Sequence, residues 1–284
     1  LKQTLDRLYA QRSSAHLAND PLSFCHHYTA AEDREMAALV ASSFAYGGVK
    51  VIFGTLERIF TEMGPSPRRY VERFDPTAGL QRFAGFKHRF NDGRDLCGLL
   101  FAARCALEEA GSLEAFFLQG DDPTAPDLGP AMASWSRRML TLDLSPVFDK
   151  GGGPADSYFP FLFPSAEGGS ACKRLCMMLR WLVRPADGID LGLWKGVSPS
   201  RLLVPVDTHI QRICRNLGLT RRRTPDLQMS REITAALRLL DPQDPVKYDF
   251  VLCHLGISEG CNGKEGAPCR ECPVERLCLR EPGP

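Results

Sequence analysis

Four cysteines stand near the C-terminal end of this sequence as Cys261-x7-Cys269-x2-Cys272-x5-Cys278, all within eighteen residues. Thiolates this close in sequence can converge on one point, which is what an iron–sulfur cluster or a tetrahedral zinc requires. Pro268 and Pro273 sit beside ligand positions, and Gly260, Gly263 and Gly266 loosen the region of the long first gap. A segment of this make-up builds no packed core, so a bound metal can stand in for one. A disulfide pair or free buried thiols are the alternatives.

Two other residues have chemistry within reach. Lys173 lies in SACKRLCMMLRWLVR (170–184) and Asp207 in PVDTHIQRICRNLGL (205–219). On spacing alone Asp207 is a helix N-cap, Lys173 is a surface lysine, and His209 and His254 are hydrogen-bonded histidines of the core or surface. The net charge of +1 over 284 residues hides an asymmetry: from Cys172 to Leu240 there are thirteen Lys and Arg against five Asp and Glu. Arg212, Arg215 and the run Arg221-Arg222-Arg223 belong to that stretch. Such a bias is either a nucleic-acid footprint or a solvated charged face.

The elements that must position these residues read as helices. Apolar residues recur at helical spacing in 32–46, 49–63, 94–110 and 131–142, with Gly47-Gly48, Gly64-Pro65 and Gly111 as stops. Residues 112–119 form a short candidate helix with Ser112 as N-cap. In 170–184, Ser170 is the expected N-cap, and Leu175, Met178, Leu179 and Leu182 make the apolar stripe. Lys173, Arg180 and Arg184 then fall on the opposite, polar face. In 205–219 the stripe is Ile210, Ile213, Cys214 and Leu217, and Gly218 closes the helix. Between Phe163 and Ser170 a Pro- and Gly-containing turn leads into a helix start, where free amides can hold a phosphate. Residues 120–130 and 143–169, rich in Pro, Gly, Asp and Ser, read as long loops. No segment shows sustained strand alternation.

The other seven of the eleven cysteines are scattered through apolar stretches, a usage that suits a reducing cytoplasm. The first residues, LKQTLDRLYAQRSS, hold no apolar run of signal-peptide length. No stretch approaches the roughly 20 apolar residues of a membrane span. The expectation is a soluble, cytoplasmic protein.

These segments, in this order, resemble the helix-hairpin-helix DNA glycosylase superfamily, whose endonuclease III branch ends in a four-cysteine iron–sulfur loop. VDTHIQRICRNLGL is similar to that family's aspartate-bearing helix start, and FVLCHLGISEGC leads into the cysteines as the family's last helix does. GSACKRLCMMLRWLVR, followed by IDLGLW and PVDTH, resembles an uncharacterised bacterial branch. The first cysteine gap is one residue longer than in the endonuclease III branch. Between Lys173 and Asp207 the chain carries an insertion, PADGIDLGLWKGVSPSR (185–201), a possible loop over the site.

The resemblance implies an all-α fold of two helical domains, one over 36–203 and one joining 1–35 to 204–284, with a DNA cleft between them. It implies that Asp207 supports cleavage of the bond between base and sugar and that Lys173 is the nucleophile of a Schiff-base lyase. Cys261, Cys269, Cys272 and Cys278 are then the ligands of a [4Fe–4S] cluster, with zinc as the alternative. Phe44 and Tyr46 match the segment that fills the gap left by a flipped base. Gly168, Gly169, Ser170, Arg212, Arg221, Arg222 and Arg223 are expected at DNA phosphates, joined by Lys264, Arg270 and Arg276 of the cysteine loop. The implied partner is double-stranded DNA with a damaged base or abasic site, bound by a nucleoid-associated monomer. Two other activities stay open: a monofunctional glycosylase in which Asp207 activates water, and a non-catalytic DNA-binding or damage-sensing protein.

Overall fold

Helix-period apolar patterning, cut by Gly and Pro, divides the chain into short helices joined by tight turns. A computed structural model describes residues 1–12, 14–148, 153–257, 261–262 and 266–279. The helices are α1 (Lys2–Gln11), α2 (Ala31–Ser43), α3 (Val49–Met63), α4 (Pro67–Glu72), α5 (Pro76–Arg82), α6 (Gly93–Ala110), α7 (Leu113–Leu118), α8 (Gly129–Thr141), α9 (Ser145–Phe148), α10 (Lys173–Val183), α11 (Thr208–Asn216), α12 (Leu227–Arg238) and α13 (Asp249–Ile257). A two-residue antiparallel hairpin, β1 (Lys87–His88) with β2 (Asn91–Asp92), is the only sheet among the described residues. The fold is therefore all-α. Among the described residues no helix is long and apolar enough to cross a membrane.

At the centre lie α2 and α10, which pack on each other. Nearly all of α2 is buried, and so is α10 from Arg174 to Val183 apart from Met177. The expected stripe of Leu175, Met178, Leu179 and Leu182 is buried, but the face opposite is not solvated as expected. Arg180 and Arg184 are only 4% and 1% exposed. The reason lies in carboxylates of the insertion and of residues 244–249. Arg180 Nε is 3.1 Å from Asp190 Oδ1 and its Nη1 is 2.5 Å from Asp249 Oδ2. Arg184 pairs with Asp190, with Asp187 at 3.2 Å and with Asp244 at 2.8 Å. Two arginines that would be costly to bury alone are thus neutralised by carboxylates on three sides.

The insertion does not cover the site. Leu191 and Trp194 donate backbone hydrogen bonds to the Trp181 and Leu182 carbonyls at 2.7 and 2.8 Å. The Trp194 indole reaches Glu35 Oε1 at 2.7 Å. Its function here is to wrap the end of α10 and supply Asp187 and Asp190. Tyr9 and Arg12 of the N-terminal segment close on Asp187 at 2.7 and 2.6 Å. Helix α1 also meets the C-terminal third, where Tyr248 donates to Asp6 Oδ1 at 2.6 Å. Buried apolar side chains from Leu5 to Val274 form one connected cluster.

The turn before α10 departs from expectation in register. The helix begins at Lys173, with Cys172 as N-cap in the left-handed region at φ 46°. Ser170 is held out of it: its Oγ accepts from the Cys172 amide at 3.2 Å, and its backbone bridges to Asp226. The expected loop at 143–169 contains α9 and the 3-10 turns Pro154–Asp156 and Phe159–Leu162.

Candidate active site

Helices α10 and α11 start at the same opening. Asp207 caps α11: its Oδ1 accepts from the His209 and Ile210 amides at 2.9 and 2.8 Å. A carboxylate in this position satisfies orphan amides and meets the positive end of the helix dipole. Its second oxygen, Oδ2, is 3.4 Å from Lys173 Nζ. Lys173 is the first residue of α10, whose N-terminus has no side-chain cap. The two side chains are 35% and 18% exposed, so both are reachable yet partly enclosed.

They face a cavity of ≈ 730 Å³, within the size range of sites that enclose a small molecule. Tyr46, Phe161 and Lys173 come from one side of the 203/204 boundary, and Asp207, His209 and Asp249 from the other. No residue of 185–201 lines it.

The ion pair of Arg180 and Asp249 also lines it. Burial pushes the Asp249 carboxyl up to about 6, against the pull of Arg180. Burial acts downward on Arg180, but Asp190 and Asp249 hold it above its ordinary value. Asp249 Oδ1 and Arg180 Nη2 are both buried without a hydrogen-bond partner. Sequence reasoning missed this pair. The available signal was Arg180 seven residues, two helical turns, after Lys173.

His209 lines the same cavity. Its Nδ1 lies 3.1 Å from Arg212 Nη2. Arginine only donates, so Nδ1 accepts and Nε2 carries the proton of the neutral ring. Gly256 makes room for this ring: a Cβ there would lie 2.6 Å from His209 Nδ1. Arg212 also donates to the Cys261 carbonyl, so it is turned inward and ties the cysteine segment to α11.

The remaining expected residues divide. Phe44 is fully buried against Phe86 and His88, a core residue that does not reach the opening. Tyr46 does line the cavity, and its hydroxyl bonds to the His88 carbonyl at 3.1 Å and to Asn91 Oδ1. The amides of Gly168, Gly169 and Ser170, expected at a phosphate, are bonded to Ser165 Oγ, Ala166 O and Ser165 O. Arg222 is paired with Asp226 at 2.5 Å and Glu232 at 3.9 Å. Arg221 and Arg223 are exposed. Much of the basic excess is spent internally, since Arg201 and Arg231 pair with Asp121 and Asp127. Arg270 and Arg276 are exposed, and Lys264 lies outside the described residues.

Cys261, Cys269, Cys272 and Cys278 line one small pocket together with Ile213 of α11 and Leu217, which caps its C-terminal end. Burial and the neighbouring thiols of Cys261, Cys269 and Cys278 push the Cys272 thiol up. Among the described residues no three His, Cys, Asp or Glu side chains are grouped to hold a single metal ion.

A family model described as "Protein of unknown function (DUF2400)" matches residues 20–258. The match covers well over half of the chain, which therefore belongs to that family. It takes in Lys173, Asp207 and Asp249 and stops before Cys261. No curated protein and no solved structure matches.

Proposed function

We propose that this family member is a DNA glycosylase with abasic-site lyase activity, acting on double-stranded DNA that carries a damaged base. The observation that carries the proposal is the 3.4 Å approach of Lys173 Nζ to Asp207 Oδ2 inside a cavity large enough for an extruded nucleoside. A base inside a duplex is out of reach, so the nucleotide must rotate into such a pocket. The uncapped first turn of α10 offers amides to a phosphate beside it.

In the reaction, the Lys173 amine forms a bond to C1′ of the sugar as the bond to the base breaks, and the departing base takes up a proton. The transition state carries positive charge on the sugar, which the Asp207 carboxylate stabilises. A lysine attacks only as the free amine, and its reference pKa is about 10.4, so its ammonium proton must first pass to water in the open cavity. One N–H proton of the attached amine passes to O4′ as the C1′–O4′ bond breaks, which leaves an iminium; water then takes the C2′ proton while the 3′ phosphate leaves with the electrons of the C3′–O bond.

A [4Fe–4S] cluster on Cys261, Cys269, Cys272 and Cys278 belongs to the same proposal. A lone tetrahedral zinc needs its sulfurs about 3.8 Å apart. A cubane binds each thiolate at a separate iron and spreads them further. The support for the cluster is that the four thiols line one shared, apolar-walled pocket. It serves to order the cysteine segment against α11.

Borohydride trapping on abasic DNA tests the reading. The protein is expected to form a covalent adduct that Lys173→Ala abolishes. Base release without trapping leaves a monofunctional enzyme, and neither activity leaves a DNA-binding protein.

A further inference from the structure

Phe90, Tyr158 and Phe161 are 45%, 56% and 40% exposed, the only aromatic side chains so exposed among the described residues. They form one cluster. Phe90 and Tyr158 stack with centroids 5.5 Å apart and planes at 25°, and Phe161 meets Phe90 edge-on at 6.0 Å. Phe161 also contacts Tyr46 at 5.1 Å, and these two rings line the cavity of Lys173. An aromatic path thus runs from the surface into the cavity that Lys173 lines.

The cluster is held rigidly. Arg89 and Phe90 form the two-residue tip of the β1–β2 hairpin. Arg89 has φ 52°, where such tips usually carry glycine. Its stem occupies the space above Gly47, where a Cβ would come within 2.8 Å of Arg89 Cδ. Below the tip, His88 bonds to Thr55 Oγ1 at 2.8 Å and to the Tyr46 carbonyl at 3.0 Å. The fully buried Asn91 donates to Asp95 and to the Tyr158 carbonyl, each at 2.9 Å. Exposed rings fixed by a buried polar network are preorganised for a ligand.

The charges point to the kind of ligand. The Arg89 guanidinium lies 5.5 Å from the Phe90 centroid, and that of Arg174 lies 4.3 Å from Phe161 and 4.9 Å from Tyr46. Arg174 bonds to the carbonyls of Ser43 and Phe161. Neither arginine has an ion pair among the described residues. Arg174 is buried and Arg89 is exposed, so aromatic faces beside the exposed, unpaired Arg89 complement a strand of bases and phosphates. A second copy seated symmetrically here would bring the same cations together.

We propose that Phe90, Tyr158 and Phe161 form a platform on which unpaired bases stack, so that the favoured substrate is DNA already unstacked beside the target: single-stranded, mismatched or bubbled. This rests on the nucleic-acid reading of the site above. The test compares wild type with Phe90→Ala/Tyr158→Ala on one sequence offered as single strand, central bubble and full duplex, by anisotropy at fixed salt. Wild type is expected to prefer the first two. The double variant is expected to lose roughly tenfold per ring on them, with little change on duplex. Phe90→Tyr, which keeps a ring, is expected to retain the preference, and unchanged melting excludes a folding defect. Wild type that binds all three forms, with a variant that is unaffected or weakened equally on each, overturns the platform alone. Wild type that binds none removes the nucleic-acid reading and the platform together. A wild-type dimer that the variant breaks, without change in DNA preference, assigns the patch to self-association instead.

Discussion

Lys173 and Asp207 meet at 3.4 Å although thirty-four residues separate them in sequence. The contact does not depend on the length of the chain between them, because each begins a helix and both helices start at one cavity. The carboxylate divides its work: Oδ1 caps α11, and Oδ2 faces the amine.

That division separates two substitutions. Asp207→Asn keeps a side-chain oxygen for the cap but removes the charge. Its melting temperature is expected near wild type, with base release slowed by a factor on the order of one hundred or more. Asp207→Ala loses both, and is expected to cost about 1 kcal/mol in stability as well. Equal base release in Asp207→Asn and wild type would leave Asp207 as a cap and nothing more.

The basic run is predicted to act unevenly. Arg221 and Arg223 are exposed, whereas Arg222 is engaged with Asp226 and Glu232. Replacing Arg221 and Arg223 by Ala is expected to lower the slope of log affinity against log salt by about 0.9 for each DNA phosphate that is no longer neutralised. Arg222→Ala is expected to leave the slope unchanged. The opposite ranking, with Arg222 setting the slope, would show that its ion pairs open on DNA.

Much of the helical scaffold was legible because its signals are local. The 49–63 helix matches residue for residue, and Ser112 caps α7 by accepting from the Ala115 amide at 3.0 Å. Asp207 as an N-cap was equally local. Arg180 and Arg184 were misplaced because burial of an arginine depends on carboxylates elsewhere in the chain. Asp187 and Asp190 come from the insertion, while Asp244 and Asp249 lie about sixty residues on. Phe44 failed for a related reason: its helical phase fits both a core residue and a rim residue, and packing against Phe86 and His88 decides it. The exposed ring of Phe90 had no periodic signal at all, since it sits at the tip of a two-residue hairpin.

The buried carboxylates give the fold a pH dependence of definite sign. Burial holds Asp249 at about 6, above its ordinary 3.8. The folded state thus binds that proton more tightly than the unfolded chain. Its contribution is full below the ordinary value and is lost as pH rises through about 6. Asp187 runs the other way: burial raises it, but the Tyr9 hydroxyl and Arg184 more than reverse this, to about 2. Its contribution is present above 3.8 and lost as pH falls through about 2. Urea unfolding of wild type and Asp249→Asn isolates the first effect. The stability difference between them is expected to shift by about 1–3 kcal/mol in favour of the variant between pH 4 and pH 7. A difference that does not vary with pH would show that Asp249 keeps an ordinary carboxyl.

The cysteine segment yields the most direct prediction. Helix α11 has Asp207 as its N-cap, and Ile213 and the C-cap Leu217 beside the four thiols. Arg212 joins the Cys261 carbonyl to His209. Anything that orders the cysteines therefore also steadies the cavity wall. Protein purified without oxygen is expected to be brown, with the broad visible absorption of thiolate-ligated iron and about four irons per chain. Cys272→Ser is expected to lose colour and solubility together. Arg212→Ala is expected to keep the iron, because it supplies no ligand, but to let the His209 ring reorient, which its imidazole resonances would report. A colourless wild-type protein with one stoichiometric zinc would overturn the cluster assignment. It would leave the Lys173–Asp207 pair, which lies outside the cysteine segment, to stand on its own chemistry.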